Sequence, residues 1–370
     1  MFDAESSRNN MPDRGFFSTS GRLETSVAAA GAMLTRARNT SFGQKLDYTN
    51  DSLTKGEIAI LRFLTAIELI ESDLWQQYNE LGGTTTVEQN NYQLALQFLN
   101  RHGSTYISAN AVNEIEHSTY LRTYLESEGI EPANLDEFRS LRGSTATGSQ
   151  NVGRLTNLMH LNIDAICHLR CRSDNKPGFG ADSSQGFRIA NRPAIPYADS
   201  ELSDTSHVQA IANTAALHFR FIEQGVSSLY TSLSQNVKRI KVLKITLGIG
   251  GQEIAHFLEW TNFAANVVQD PPFRFDHSDT SITNQGTSFS SEVKFRRFLF
   301  QTDSWLSSRG KSIRKDLPLN SVIRPENGRF GSAVATIESF TENGLFFGQS
   351  TNFLRTLMAL AEEADTAVSS

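Results

Sequence analysis

One spacing, a glutamate followed three residues later by a histidine, occurs twice in this chain and constrains its fold more than any other feature. The copies run from Glu114 to His117 and from Glu253 to His256. Residues three apart in an α-helix lie on one face, about one turn apart, so each pair can present a carboxylate and an imidazole to one point. Each copy therefore predicts half of a metal site on a helix.

Each copy follows a segment that carries a glutamate inside an otherwise apolar helical stripe. Glu68 interrupts such a stripe in residues 60–78, and Glu223 interrupts another in residues 204–236. The chain thus reads Glu, Glu-x-x-His, Glu, Glu-x-x-His. A single Glu-x-x-His arises easily by chance, but the complete order predicts four helices that direct six ligands toward one interior site.

The apolar periodicity and the turn residues set the expected limits of these helices. The predicted helices cover residues 54–80, 87–102, 105–127, 204–236 and 238–268, with further helical patterns at 292–307 and 352–365. Thr54 or Ser52 can cap the first helix, and Asp204 or Thr205 can cap the fourth. The His102-Gly103 step either kinks one long helix or divides two.

The ligand order resembles that of ferritin-like di-metal carboxylate bundles, in which two helices each supply a Glu and two supply a Glu-x-x-His. The first helix and residues 154–158 and 191–196 are similar, more narrowly, to ferritin-like proteins of bacteria and fungi described as desiccation- or stress-related. The resemblance covers residues 55–268. It implies an all-α fold, a ferritin-like four-helix bundle with a long crossover between its second and third helices and a loop-rich C-terminal extension.

The same resemblance implies a di-metal centre of two Fe or Mn ions. Its ligands would be the six residues of the ordered pattern: Glu68, Glu114, His117, Glu223, Glu253 and His256. Glu114 and Glu253 would bridge the two metals, the other two glutamates would be terminal, and each histidine would hold one ion. Oxygen-rich ligation with histidine suits Fe or Mn better than metals that prefer thiolates. No other cofactor site is predicted.

Groups around such ligands usually orient them. Glu71, Tyr120, Tyr230 and Trp260 are candidates for this role, although ordinary packing explains each of them as well. The alternative for the whole pattern is a set of solvated helix faces that bind no metal. Buried unpaired carboxylates are costly, so four of them facing one core would favour a bound cation.

The resemblance implies an oxidoreductase of redox or stress protection, ferroxidase- or catalase-like, that acts on peroxide, dioxygen or ferrous iron. No catalytic residue beyond the metal ligands can be named from the sequence. A protein of a different class remains the alternative: a structural or self-assembling ferritin-like scaffold without turnover. Metal content without turnover would distinguish the scaffold from the enzyme.

Composition divides the chain into three expected regions. Residues 1–52 are polar and lack a sustained apolar period, which predicts a flexible tail. Residues 53–270 form the expected bundle, with the crossover at 130–203, and residues 271–370 form the C-terminal extension. Long segments outside a bundle commonly build interfaces, so a homo-oligomer is expected, with a small-molecule oxidant as the other partner.

Charge and hydropathy argue against a nucleic-acid-binding protein and against an integral membrane protein. The formal net charge is −6, and without a basic patch no nucleic-acid partner is expected. No apolar stretch reaches the roughly 20 residues that span a bilayer, which argues against an integral membrane protein. The Ala-rich run at 24–34 is only weakly hydrophobic, so an export signal is disfavoured. Members of the family that this chain resembles are often exported, so a cytoplasmic and an exported protein both remain possible interpretations.

The two cysteines, Cys167 and Cys171, are separated by three residues, a spacing that could suggest a metal site. A structural zinc site needs four ligands, and the nearby histidines do not complete a usual spacing. Reduced thiols, or a local disulfide in an exported protein, are the simpler interpretation.

Overall fold

Helices dominate the part of the chain that the computed structural model describes, which comprises residues 52–84, 89–164, 188–264, 266–267 and 332–368. In chain order the helices are α1 (Lys55–Gly82), α2 (Asn90–Leu99), α3 (Gly103–Ser127), α4 (Thr205–Ser234), α5 (Ile240–Ala264), α6 (Ala333–Glu342) and α7 (Thr351–Val368). Two antiparallel strand pairs lie between α3 and α4, namely β1 (Leu141–Arg142) with β2 (Gly153–Arg154) and β3 (Leu161–Asp164) with β4 (Arg188–Arg192). The expectation of an all-α fold is thus confirmed as a predominantly helical one with a few short strands.

The starts of α1 and α4 follow the capping signals in the sequence. The Thr54 hydroxyl accepts a hydrogen bond from the backbone N–H of Glu57 at 3.1 Å, and the Glu57 carboxylate accepts one from the N–H of Thr54 at 3.0 Å. This reciprocal pair is a capping box. Asp204 caps α4 by accepting from the N–H of Ser206 at 2.9 Å. Both predicted caps are confirmed.

A sharp turn at residues 100–103 separates α2 from α3, so the chain forms two helices there and not one kinked helix. Asn100 is extended, and the N–H of Gly103 donates to its carbonyl at 2.8 Å. A Cβ atom on Gly103 would lie 2.8 Å from the Phe263 ring of α5. The missing side chain therefore lets the start of α3 approach α5.

The long helices pack as two pairs, α1 along α3 and α4 along α5, and α7 packs along α1. The apolar stripe predicted for α1 is fully buried, and its buried polar positions include Glu68 and Glu71. Because α3 and α7 both pack along α1, few residues of α1 are exposed. Aromatic rings of α1, α4 and α5 stack between the pairs and join them.

The segment between α3 and α4 is tied to α1 by a buried carboxylate. Asp73 accepts hydrogen bonds from the backbone N–H groups of Leu155 at 3.0 Å and Thr156 at 2.9 Å, and forms an ion pair with Arg139 at 2.7 Å. About two turns further along α1 than Asp73, Glu80 pairs with the buried Arg154. These contacts fix the crossing segment against the helix that carries Glu68.

The C-terminal residues that the structure describes return to α1. The pattern at 352–365 is confirmed as α7, whereas α6 was not predicted; the Asp365 carboxylate accepts from the first N–H groups of α6, at 2.7 Å from Ala333. Residues 1–51 of the expected tail, the cysteine pair and the helical pattern at 292–307 lie outside the described residues. Within the described ranges, no helix has both the length and the apolar character needed to span a bilayer.

Three glycines inside α5 differ in what surrounds them. A Cβ on Gly250 would lie 2.7 Å from Cβ of Tyr230, whereas one on Gly248 or Gly251 would meet no atom within 4 Å. Gly250 therefore permits the close approach of α5 to α4. The other two glycines serve no such contact.

We expect Gly250→Ala to lower the free energy of unfolding by about 1 to 3 kcal/mol, because the added methyl group overpacks against Tyr230. Gly251→Ala is the matched control, and it should raise stability by up to about 1 kcal/mol through helix propensity alone. Chemical denaturation of both variants measures the difference. Equal effects of the two substitutions would contradict close packing at Gly250.

Candidate metal centre

Four helices bring the six residues of the sequence pattern into one buried cluster. The members are Glu68 on α1, Glu114 and His117 on α3, Glu223 on α4, and Glu253 and His256 on α5. All four glutamates have 0% exposure, and the two histidines have 7% and 4%. The four carboxylates therefore face inward, which was the condition on which the metal-binding interpretation depended.

The cluster divides into two overlapping donor sets. In each set, one oxygen or nitrogen atom from every member lies within 4.8 Å of the others. The sets are Glu68, Glu114, His117 and Glu253, and Glu114, Glu223, Glu253 and His256. Glu114 and Glu253 belong to both sets and lie between them. Each set contains three carboxylates and one imidazole, and such a group could hold a metal ion.

The imidazole of His117 shows how tightly the first set converges. Its Nδ1 atom lies 3.4 Å from an oxygen of Glu68, 3.3 Å from one of Glu114 and 3.2 Å from one of Glu253. A single N–H proton points in one direction and cannot satisfy three oxygens at once. A cation placed among the four atoms would contact all of them.

His256 repeats the arrangement in the second set. Its Nδ1 atom lies 3.2 Å from an oxygen of Glu114, 3.5 Å from one of Glu223 and 3.7 Å from one of Glu253. The rings of His256 and His117 are 6.4 Å apart between centroids. Each histidine thus faces three carboxylates through the same ring nitrogen.

The donor atoms pass a simple test of fit for cations. Within the described residues, five buried carboxylate oxygens of the cluster form no hydrogen bond: Oε2 of Glu68, Oε1 of Glu114, Oε2 of Glu223, and both oxygens of Glu253. An unsatisfied buried polar atom costs about 1 to 3 kcal/mol, and more when it is charged. Positive ions remove that cost, and carboxylate with imidazole is a ligand set suited to Fe or Mn.

The charges of the cluster shift the pKa of its members strongly. Burial raises the pKa of Glu68 to about 8, even though His117 opposes the shift. Burial also acts to raise the pKa of Glu253, but the neighbouring imidazoles of His117 and His256 outweigh it and lower that pKa to about 2. Without a cation the cluster must therefore hold protons. Protons and metal ions compete for the same atoms.

Each of the two glutamates that belong to only one set has one oxygen held by a neutral donor. The Tyr230 hydroxyl donates a hydrogen bond to Oε1 of Glu68. The Asn110 amide donates to Oε1 of Glu223 at 2.8 Å. In both cases the other oxygen, Oε2, faces the histidine of its set. The neighbouring side chains therefore orient each carboxylate toward the interior of the cluster.

The predicted orienting groups have different outcomes. Tyr230 binds Glu68, and the Trp260 indole N–H donates to Asn110 at 3.3 Å. Tyr120 is 54% exposed, which fits the alternative of ordinary packing and not an orienting role. Glu71 is fully buried with neither oxygen hydrogen-bonded within the described residues, and burial and the surrounding glutamates raise its pKa well above the usual value.

Sequence reasoning missed Asn110 and Asn113. The side-chain nitrogen of Asn113 lies 3.1 Å from Nε2 of His256, on the ring edge opposite the cluster. When Nδ1 of the ring binds a cation, Nε2 carries the proton, and a half-turn of the amide presents its oxygen to that N–H. No sequence signal identifies Asn113, because its partner lies on a different helix.

We expect Asn113→Ala to weaken metal binding about 10- to 100-fold, since loss of a hydrogen-bond partner of a metal-binding histidine typically has this effect. Competition titration with a chromophoric chelator measures the change. Glu116→Ala, at an exposed position on the same helix, is the control and should bind as the wild type does. Unchanged affinity in Asn113→Ala would show that His256 does not need this contact.

Comparisons with protein-family models, with curated proteins and with solved structures found no match to this chain. The assignment therefore rests on the residues themselves. A predominantly helical chain with a buried Glu/His cluster of this form is compatible with a di-metal helical bundle.

Proposed function

We propose that α1, α3, α4 and α5 form a ferritin-like four-helix bundle that holds two Fe or Mn ions. In this proposal the protein is an oxidoreductase of redox or stress protection that acts on peroxide, dioxygen or ferrous iron. The observation that carries the proposal is the pair of donor sets that share Glu114 and Glu253. A single-ion site needs only one such set, whereas two sets with a common pair of carboxylates suit two neighbouring ions.

The positions of the six ligands suggest a different coordination role for each group of them. Glu114 and Glu253, common to both sets, would bridge the ions. Glu68 and His117 would complete one coordination sphere, and the remaining glutamate and histidine would complete the other. Glu68 and Glu223 would be the terminal carboxylates. The hydrogen bond to Oε1 of each would orient the carboxylate so that Oε2 is available to its ion.

A bound metal pair would supply the redox chemistry, since two adjacent ions can exchange electrons with a small oxygen species. The residues of the chain would set which molecules reach it. Of the six ligands, only His117 and His256 have any exposed surface, at 7% and 4%. Both belong to the Glu-x-x-His helices, so substrate would approach between α3 and α5. The near-complete burial of the six ligands favours a small molecule as the substrate.

The proposal keeps the domain organisation expected from the sequence. Residues 53–270 would be the bundle with its crossover at 130–203, and residues 1–52 and 271–370 would be a tail and an extension available for contacts between copies of the chain. α7 supports a structural role for part of the extension, because it packs along α1.

Metal analysis of protein purified without added metal tests the proposal. We expect close to two Fe or Mn per chain in the wild type, and loss of both ions in Glu114→Gln/Glu253→Gln, because the shared carboxylates are then neutral. Glu116→Gln removes the same charge from an exposed position of α3 and should retain both ions.

A metal content near zero in the wild type, before and after anaerobic reconstitution, would overturn the proposal. One ion per chain would contradict the di-metal centre but not metal binding. Peroxide and dioxygen consumption by the loaded wild type, absent in the double variant, would then separate the oxidoreductase from a scaffold without turnover.

A further inference from the structure

A column of aromatic rings runs from the metal cluster into the core of the protein. It begins at the Trp260 indole, whose N–H donates to Asn110 at 3.3 Å, while Asn110 donates to Glu223 at 2.8 Å. Trp260 stacks on Trp75 with 5.1 Å between ring centroids and 25° between ring planes. Two hydrogen bonds and one stacked pair thus connect a cluster glutamate with Trp75.

The column continues to a buried phenol. Trp75 lies 5.7 Å from Tyr78 between centroids, and Phe219 packs against both of these rings and Trp260 at 4.5 to 4.9 Å. Tyr78, Trp75 and Trp260 all have 0% exposure. Three of the most readily oxidised side chains in proteins therefore stand in contact, shielded from water by an aromatic core.

The column ends at a group that can take a proton. The Tyr78 hydroxyl lies 2.8 Å from Nδ1 of His218, which is within the range for direct proton transfer. His218 has 0% exposure, and its burial lowers its pKa to about 3, so the ring is neutral and retains a basic nitrogen. A buried Tyr–His pair is more than packing requires, since apolar residues at both positions would avoid two buried polar groups.

We propose that Trp260, Trp75 and Tyr78 form a relay that passes single electrons to the metal cluster and leaves a radical on Tyr78. The inference rests on the proposed metal centre and on a hydroperoxide as oxidant. It extends that function by giving the chain an internal source of electrons. Excess oxidising equivalents would be held at a buried phenol and kept from attacking the ligands.

The electrons and protons balance in the following way. Hydrogen peroxide would take two electrons from the metal-loaded cluster and two protons from water, and would become two molecules of water. One oxidising equivalent would stay at the cluster. The other would be passed on, because Trp260 would give one electron to the cluster and be refilled from Trp75, which would be refilled from Tyr78. The phenolic O–H bond breaks as Tyr78 loses its electron, and the proton passes to Nδ1 of His218. The products are a neutral phenoxyl radical and an imidazolium.

Freeze-quench EPR of the iron-loaded protein after one equivalent of hydrogen peroxide tests the relay. We expect an organic radical whose hyperfine structure changes when the protein contains ring-deuterated tyrosine. Tyr78→Phe should abolish this tyrosyl signal and increase oxidised products at Trp75 and Trp260, measured by peptide mass spectrometry. His218→Gln, which removes the proton acceptor, should lower the yield of the tyrosyl radical and shift oxidation to the same tryptophans.

Tyr106→Phe is the matched control, because Tyr106 also borders Trp260, edge-on at 6.4 Å, but lies outside the column. It should keep the wild-type signal. Loss of the signal in Tyr106→Phe with retention in Tyr78→Phe would overturn the assignment. Full metal content and peroxide consumption without any tyrosyl radical would overturn the relay alone. A wild type that binds no metal would overturn the metal centre, and the relay with it.

Discussion

Manganese(II) added to the metal-free protein is expected to raise its free energy of unfolding by about 4 kcal/mol when the free ion reaches about a thousand times its Kd. The folded chain presents two sets of converging carboxylates that the unfolded chain does not hold together, so the ion binds the native state selectively. Binding also supplies partners for the unsatisfied cluster oxygens. Thermal and chemical unfolding over a range of ion concentrations measure the gain.

The double variant Glu114→Gln/Glu253→Gln is the decisive comparison for this gain. It retains the size of both side chains but removes the two shared charges, and we expect its stability to be independent of manganese. Glu116→Gln should respond as the wild type does. A metal-induced gain of equal size in the double variant would show that the ion binds outside the cluster.

The metal-free protein is expected to lose stability as pH rises from about 5 to 8. The pKa of Glu68 is raised from 4.5 to about 8, so the folded state keeps a proton that the unfolded state has released in this window. The carboxylates around His117 and His256 raise the pKa of both rings, which changes stability in the same direction. One retained proton corresponds to about 1.4 kcal/mol per pH unit, or about 4 kcal/mol across three units. The low pKa of Glu253 makes stability depend on pH only below this pH range.

Denaturation in the presence of a chelator, repeated at intervals of pH, measures this loss. Glu68→Gln should make the profile less steep, because the neutral amide has no proton to retain and only the other shifted groups still contribute, whereas Glu116→Gln should leave the slope unchanged. Metal binding has the opposite dependence and strengthens with pH, because the ligands must lose their protons. A metal-free profile that is flat or rises over this range would contradict a cluster that holds protons.

The sequence was informative where the structure follows local rules. The spacing from Glu114 to His117 and from Glu253 to His256 places each pair on one helix face, and apolar neighbours correctly indicated that Glu68 and Glu223 are buried. Caps such as Thr54 depend on residues three positions away and were therefore readable. The long helices and their order follow from such short-range patterns, whereas the convergence of the six side chains was inferred from the order of the ligands along the chain.

What the sequence did not show depends on contacts between distant residues. Asn113 reaches a histidine 143 positions away, and Asn110 reaches a glutamate 113 positions away. Tyr120 was a reasonable candidate by spacing, three residues after His117, but it lies on the exposed side of α3. The short strands between α3 and α4 lack alternating patterns because each pairs over only a few residues.

The packing of α7 along α1 has a consequence for how the molecule is made. A Cβ on Gly56, near the start of α1, would lie 3.1 Å from Cβ of Ala367 near the end of α7, so the two helices meet from opposite ends of the described chain. During translation, α1 leaves the ribosome long before residues 351–368 are synthesised. The surface of α1 that packs against α7 therefore stays uncovered until residues 351–368 have been made. Contacts between residues so distant in sequence also form slowly, so this part of the core is completed only after α7 has been synthesised. The final packing of the helix that carries Glu68 is therefore a late event in the life of each newly made chain.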